Sequence, residues 1–319
     1  MANTSIYKSL VFSGLSDLPS LQLPLFLVFL LVYLMTLTGN LLIVLLICTD
    51  SHLQTPMYFF LGTLACLDMG YSSVTIPRML FDFHTQNMFL SLQACITQIF
   101  FFVLLAMSEI SLLAVMSYDR YVAICHPLHY TQIMHWKACV LLVLGVLMIS
   151  VVCSLVHVLL LLKLTFCTIN TLQGFFCDLP QLLLVSCSDT FINVLLILIL
   201  ALLVGGGIFT LTFCPYIIIL NTIMKMQSKA MRSKAFSTCS SHLTVVFIFY
   251  GTGLFSYFHP NAKNHSAVDK VASVFYAALT PLVNPLVYSF RNTEMKISFK
   301  RALCRLMCWN NEDTKIQCL

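Results

Sequence analysis

Apolar positions run in long stretches, and the charges fall in short clusters between them. Asp17 and Asp50 enclose 32 uncharged residues, and no charge occurs in 138–162, 190–224, 235–262 or 271–290. Residues 51–77 hold only Asp68, and residues 85–118 hold only Glu109. A charge at a bilayer centre is costly, and about 20 helical residues cross the hydrocarbon core. The pattern therefore predicts a first span between Asp17 and Asp50 and six more near 56–80, 94–120, 138–162, 192–226, 235–258 and 269–290. A transmembrane barrel would alternate over short segments, whereas these runs are continuous.

Composition agrees. Of 319 residues, 59% are hydrophobic and 9% charged, where a soluble domain carries roughly a quarter charged. That balance excludes a disordered chain and a soluble enzyme. The net charge of +5 is not a nucleic-acid signature, because the bases flank apolar spans. The first apolar run is too long for a signal-peptide core and lacks a small-residue cleavage site, so it is expected to remain as an anchor. With the N-terminus outside, twelve of the seventeen Lys and Arg fall on inside ends and loops, and the positive-inside rule favours this orientation. The fold class read from the chain is an all-α membrane protein. It is a seven-helix bundle (23–291) with an outside segment (1–22) and a cytoplasmic tail (292–319) that opens with a short amphipathic helix. Asn3-Thr4-Ser5 is a glycosylation sequon on the outer side.

Four motifs stand in order along the spans: Pro56-Met57-Tyr58-Phe59-Phe60-Leu61, Met116-Ser117-Tyr118-Asp119-Arg120-Tyr121-Val122-Ala123-Ile124-Cys125, Lys234-Ala235-Phe236-Ser237-Thr238-Cys239-Ser240-Ser241-His242-Leu243 and Pro281-Leu282-Val283-Asn284-Pro285-Leu286-Val287-Tyr288. Gly39-Asn40 fits in the first span. The set resembles an olfactory receptor of the rhodopsin-like G-protein-coupled class, in its tetrapod branch, over nearly the whole chain. The resemblance implies a plasma-membrane receptor, sited in the family in olfactory cilia. Such a receptor binds a small hydrophobic odorant and activates a stimulatory G protein that raises cyclic AMP. No cofactor is expected.

It also assigns roles. Arg120 would pair with Asp119 at rest and meet the G protein when the inner helix ends part, a two-state element at the membrane boundary. Tyr121, Tyr216, His242, Asn284, Pro285 and Tyr288 belong to the same coupling set. Asp68 and Glu109, the two carboxylates deep in spans, either stay neutral and hydrogen-bonded or share a cation. Both cannot ionise cheaply without one. The family places a modulatory sodium ion at this level. Of the fourteen cysteines, Cys95, Cys167, Cys177 and Cys187 lie on the oxidising outer face, and four cysteines allow three pairings. The resemblance selects Cys95–Cys177 and Cys167–Cys187. Cys304 and Cys308, four apart after the last span, read as lipid-modified or simply packed thiols.

Phe102, Val103, Ala106 and Met107 recur at helical spacing in the third span. By resemblance they face the odorant, together with Leu200, Val204, Tyr250, Gly253, Tyr257, Val274 and Ala277, while Asp178 and Leu179 cap the cavity. The outer half of the third span carries no Asp or Glu, so a neutral, apolar ligand is expected. Two departures from the family pattern stand out. Gly174 occupies a position that is often His, and Cys214-Pro215-Tyr216 replaces the usual Ser-Tyr. A transporter would need a polar path, and an enzyme a zinc motif or nucleophile elbow. For the first only Asp68, Glu109 and a few hydroxyls are available, and the second pattern is absent from the sequence.

Overall fold

A computed structural model describes residues 9–15, 18–166, 169–172, 174–258 and 273–309. The elements run β1 (Ser9–Phe12), α1 (Pro19–Thr49), α2 (Pro56–Thr85), β2 (Phe89–Ser91), α3 (Leu92–Cys125) and a short α4 (Tyr130–Ile133). They continue with α5 (Trp136–Leu161), β3 (Ile169–Leu172), α6 (Leu179–Leu184) and α7 (Phe191–Leu200). A π-helical turn, Ala201–Gly205, joins α7 to α8 (Gly206–Lys225). Then follow α9 (Lys229–Phe258), a second π turn (Phe275–Leu279), α10 (Thr280–Arg291) and α11 (Thr293–Trp309).

Five of the helical runs described are long and apolar enough to cross a membrane: α1, α2, α3, α5 and the joined Phe191–Lys225. The expected sixth and seventh spans fall on α9 and on the run through α10. Several helices extend past their predicted ends. For example, α1 begins at Pro19 and α3 continues to Cys125, because helices outlast the hydrocarbon core and stop at local signals. Proline opens α1 and α2, and the Ser91 hydroxyl caps α3 by accepting from Ala94 N at 3.2 Å.

The packing is that of a protein whose solvent is lipid. Leu31, Leu141, Met148 and Leu202 are exposed, whereas Thr36, Ser108, Ser150 and Thr212 are buried. Each of these four hydroxyls donates to the carbonyl four residues back, at 2.8 Å, and so is satisfied within its own helix. α3 is the central helix, packing on α2, α5, α8 and α9, while α1 packs on α2 and α10.

The sequence reading did not anticipate the small sheet at one end, in the order β2-β1-β3. β1 is antiparallel to β2 and parallel to β3.

Candidate functional site

Two sites lie at opposite ends of α3. At one end Cys95 is bridged to Cys177, 82 positions later, with Cα atoms 5.4 Å apart. Cys187 is disulfide-bonded too, and its expected partner Cys167 lies outside the described residues. The bridge sits in an apolar cluster with Leu10, Phe12, Ile99 and Leu179, against which Val103 packs. Next to it, Phe102 is 1% exposed and lies between the rings of Tyr71 (5.2 Å), Phe176 (5.1 Å) and Tyr276 (5.6 Å). Ala106, Val274 and Ala277 belong to this second cluster.

The remaining residues expected at the ligand are spread more widely. Tyr250 stands edge-on to Phe209 at 5.4 Å, with its hydroxyl 3.4 Å from Thr212 Oγ1. Gly253 faces Tyr276, whose Cε2 would lie 3.8 Å from an added Cβ. Met107, Leu200 and Val204 are half-buried. Asp178 caps α6 by accepting from Leu179 N at 2.8 Å. The Tyr257 side chain and Asn3 lie outside the described residues.

At the other end of α3 a cavity of about 650 Å³ is lined by Met116, Arg120, Ser237, His242, Tyr288 and Glu294, among others. Arg120 is paired with Asp119 through its terminal nitrogen and through Nε at 3.1 Å. Asp119 is 1% exposed on its side chain, and its second oxygen accepts from the Tyr130 hydroxyl at 2.8 Å. Burial and the Asp119 carboxylate hold the Tyr130 phenol well above its ordinary range, so it remains a donor. Tyr216 and His242, both buried, meet with the hydroxyl 2.6 Å from Nδ1. Tyr121 turns away to His126, 3.0 Å from its Nε2. Pro285 packs against Gly39, where an added Cβ would stand 3.5 Å from the ring.

Midway between the two sites, Asn284 Nδ2 donates to Asp68 Oδ1 at 2.8 Å. Asp68 and Glu109 lie within hydrogen-bond reach of each other, and Asp68 Oδ2 and both Glu109 oxygens are buried with no other partner among the described residues. Two carboxylates meeting in one interior either share a proton or hold a hard cation such as sodium between them. No group of three His, Cys, Asp or Glu stands ready for a metal among the described residues, so hydroxyls, carbonyls or water would complete the shell.

Two contacts escaped sequence reading. Tyr130 reaches Asp119 from a separate short helix, and no motif links them. Arg301 on α11 lies 3.0 Å from Asp50 Oδ2, with His52 Nδ1 2.9 Å from Oδ1. Burial works against the Asp50 carboxylate, but the Ser298 hydroxyl, His52 and Arg301 together hold it well below the usual carboxylate range. This pairing docks α11 on the α1–α2 turn.

The bundle matches the fold of squid rhodopsin, with a TM-score of 0.73 at 18% identity over 92% of this chain and 88% of that one. The class is thus an α-helical membrane protein with the rhodopsin-type bundle fold. The olfactory receptor family model matches residues 29–306. Human olfactory receptor 5B12 is 47% identical over 95% of this chain and 96% of its own. Human olfactory receptor 7C1 is 48% identical over 94% of each, and mouse olfactory receptor 5AR1 is 45% identical over 94% and 97%. The chain belongs to the olfactory receptor family and is a multi-pass G-protein-coupled receptor of the plasma membrane, not an enzyme.

Proposed function

We propose that this receptor detects small, neutral, hydrophobic odorants and couples to a stimulatory heterotrimeric G protein that raises cyclic AMP, in the cilia of olfactory neurons. In this reading the bridge end and the sequon at Asn3 face outside, and the Arg120 end faces the cytoplasm. The observation that carries it is the Arg120 cavity. It is about 650 Å³, half-open, lined by Arg120, Ser237, His242 and Glu294 among others, and its guanidinium is held by Asp119, which accepts from Tyr130 in turn. A partner segment entering there would offer Arg120 a second set of acceptors once the ends of α3, α9 and α10 part. An unpaired buried charge is expensive, so Arg120 exchanges one partner for another.

The ligand reading is supported by the side chains clustered at the bridge end. Phe102, Ala106 and Ala277 present only carbon, and the outer half of α3 has no carboxylate to pair an amine. The odorant acts at a distance. Met107 and Arg120 are about 13 residues apart, roughly 20 Å along a helix, so the ligand works only by its differential affinity for two bundle arrangements. A sodium ion held by Asp68 and Glu109 would supply the charge that lets both ionise, and would favour the resting arrangement. The test is a panel of neutral volatile ligands on cells reporting cyclic AMP. Ligand-evoked ionic current from the purified, reconstituted chain, with no cyclic AMP response in cells, would overturn the reading.

A further inference from the structure

Residues 9–14 precede the first membrane helix, yet they form the middle of the sheet at the bridge end. On one side β1 pairs with β2 in the register Leu10↔Leu90 and Val11↔Phe89. On the other it pairs with β3, Val11↔Thr171 and Phe12↔Leu172. Side chains alternate along a strand, so Leu10 and Phe12 point the same way. They are 2% and 3% exposed, in the cluster around the Cys95–Cys177 bridge.

The pairing runs on past the strand. Ser13 N donates to Leu172 O at 2.9 Å and Gly14 N to Gly174 O at 3.0 Å, while Gly174 N donates to Ser13 Oγ at 3.1 Å. Gly14 has φ +68°, and an added Cβ would come within 3.3 Å of Met88 Cε, so this turn is suited to glycine. These bonds stop one residue short of Phe175 and Phe176. At the far end Cys177 is bridged to α3, and its N–H donates to Gln98 Oε1 at 2.9 Å. The segment 174–177 is thus held at one end by the disulfide and at the other by β1, with Phe176 between them 5.1 Å from Phe102.

We infer that Leu10 and Phe12 are positioning residues for the ligand cavity. β1 is a standing clamp that keeps Phe176 as the roof over the odorant and closes the mouth to water. Neither side chain touches the ligand; both act through the loop. The inference rests on the reading that the odorant lies beneath Phe176, against Phe102, Ala106 and Met107. A standing clamp is the arrangement the hydrogen bonds favour, because lifting β1 would strip two ladders of their partners at once.

The first test needs no agonist. Met107→Cys in the full-length receptor, at the surface of intact cells, is treated with a membrane-impermeant methanethiosulfonate, and the receptor without that substitution gives the background. Modification should be slow while β1 is intact. Adding Leu10→Ala or Phe12→Ala should speed it roughly tenfold or more, as expected when a protected site opens locally, and Phe12→Leu should restore protection. Should the alanine variants fail to reach the surface, Gly14→Ala disturbs the clamp without removing core atoms. Equal modification rates with the clamp intact and disturbed would overturn the proposal.

The second test asks whether the clamp stays shut. Phe12 N donates to Met88 O at 3.0 Å, which makes Val11 and Phe89 a non-hydrogen-bonded pair, with Cα atoms typically about 4.5 Å apart and within reach of a bridge. Oxidised Val11→Cys/Phe89→Cys receptor should answer neutral aliphatic alcohols, aldehydes and esters with the potency of each single variant, and Phe12→Ala should shift the preferred chain length at unchanged basal cyclic AMP. Loss of response only in the cross-linked receptor would mean that β1 must leave for the ligand to pass, and would sink the standing clamp. If the parent receptor answers none of the panel, the ligand reading fails, and the thiol-protection experiment still decides the clamp.

Discussion

Asp119→Asn isolates the charge that holds Arg120. The substitution keeps the side-chain shape and removes the negative charge from a group that is 1% exposed and accepts from Arg120 and Tyr130. Hydrogen bonds to a charged group are worth about 1.5–3 kcal/mol, and a neutral amide retains part of that. The resting arrangement should therefore lose roughly 2–3 kcal/mol relative to one in which Arg120 faces a partner, and each 1.4 kcal/mol is about tenfold in population. A signalling arrangement populated at about 1% would rise to roughly a fifth to three-fifths. Basal cyclic AMP in cells matched for surface receptor reads this directly and should approach the level that a saturating agonist evokes. Tyr130→Phe removes one donor to the same carboxylate, so its effect should be smaller, and the double variant less than additive because both act on one group. Basal signalling at the parent level in Asp119→Asn, with surface delivery equal, would refute the idea that this pair holds the resting state.

Arg120→Ala should abolish the evoked cyclic AMP response while ligand binding persists, with the affinity that G-protein linkage adds now missing; a normal response at matched surface level would refute the coupling role of Arg120. Cys95→Ser or Cys177→Ser should cut surface delivery, since losing a native bridge costs about 2–5 kcal/mol, and mass mapping that finds both thiols free in surface receptor would contradict the assignment. Replacing Met107 or Val103 by Asp should remove odorant responses without blocking delivery, and a charged amine as best agonist would count against the apolar pocket. Replacing external sodium by choline should raise agonist potency severalfold in the parent. Asp68→Asn or Glu109→Gln should erase that dependence, and a dependence that survives both would remove the ion from this site.

Much of the Arg120 end was legible in the chain because its chemistry is local or carried by long motifs. Asp119 and Arg120 are neighbours, and Asp68 and Asn284 are each alone among apolar residues. The end that holds the Cys95–Cys177 bridge was less legible. Most of the residues assigned to it are apolar, and an apolar residue in a membrane helix faces lipid, a neighbouring helix or a ligand with the same spelling. The structure divides them: Phe102, Ala106, Val274 and Ala277 fall in one cluster, Val103 and Leu179 in the next, and Tyr250 packs with Phe209 and Phe213.

By itself the sequence determined the number and rough limits of the apolar runs, because the cost of a charge in hydrocarbon acts residue by residue and leaves gaps that can be counted. Only the tertiary structure decided which groups meet across long separations. It brings the Tyr130 hydroxyl to Asp119, Arg301 to Asp50, Tyr216 to His242, and Ser9–Phe12 between strands that begin at Phe89 and Ile169. A strand of four residues has no register of its own. It acquires one only when the Cys95–Cys177 bridge and the ends of α2 and α3 have brought its two partners alongside, and its Leu10 and Phe12 then find one face to bury.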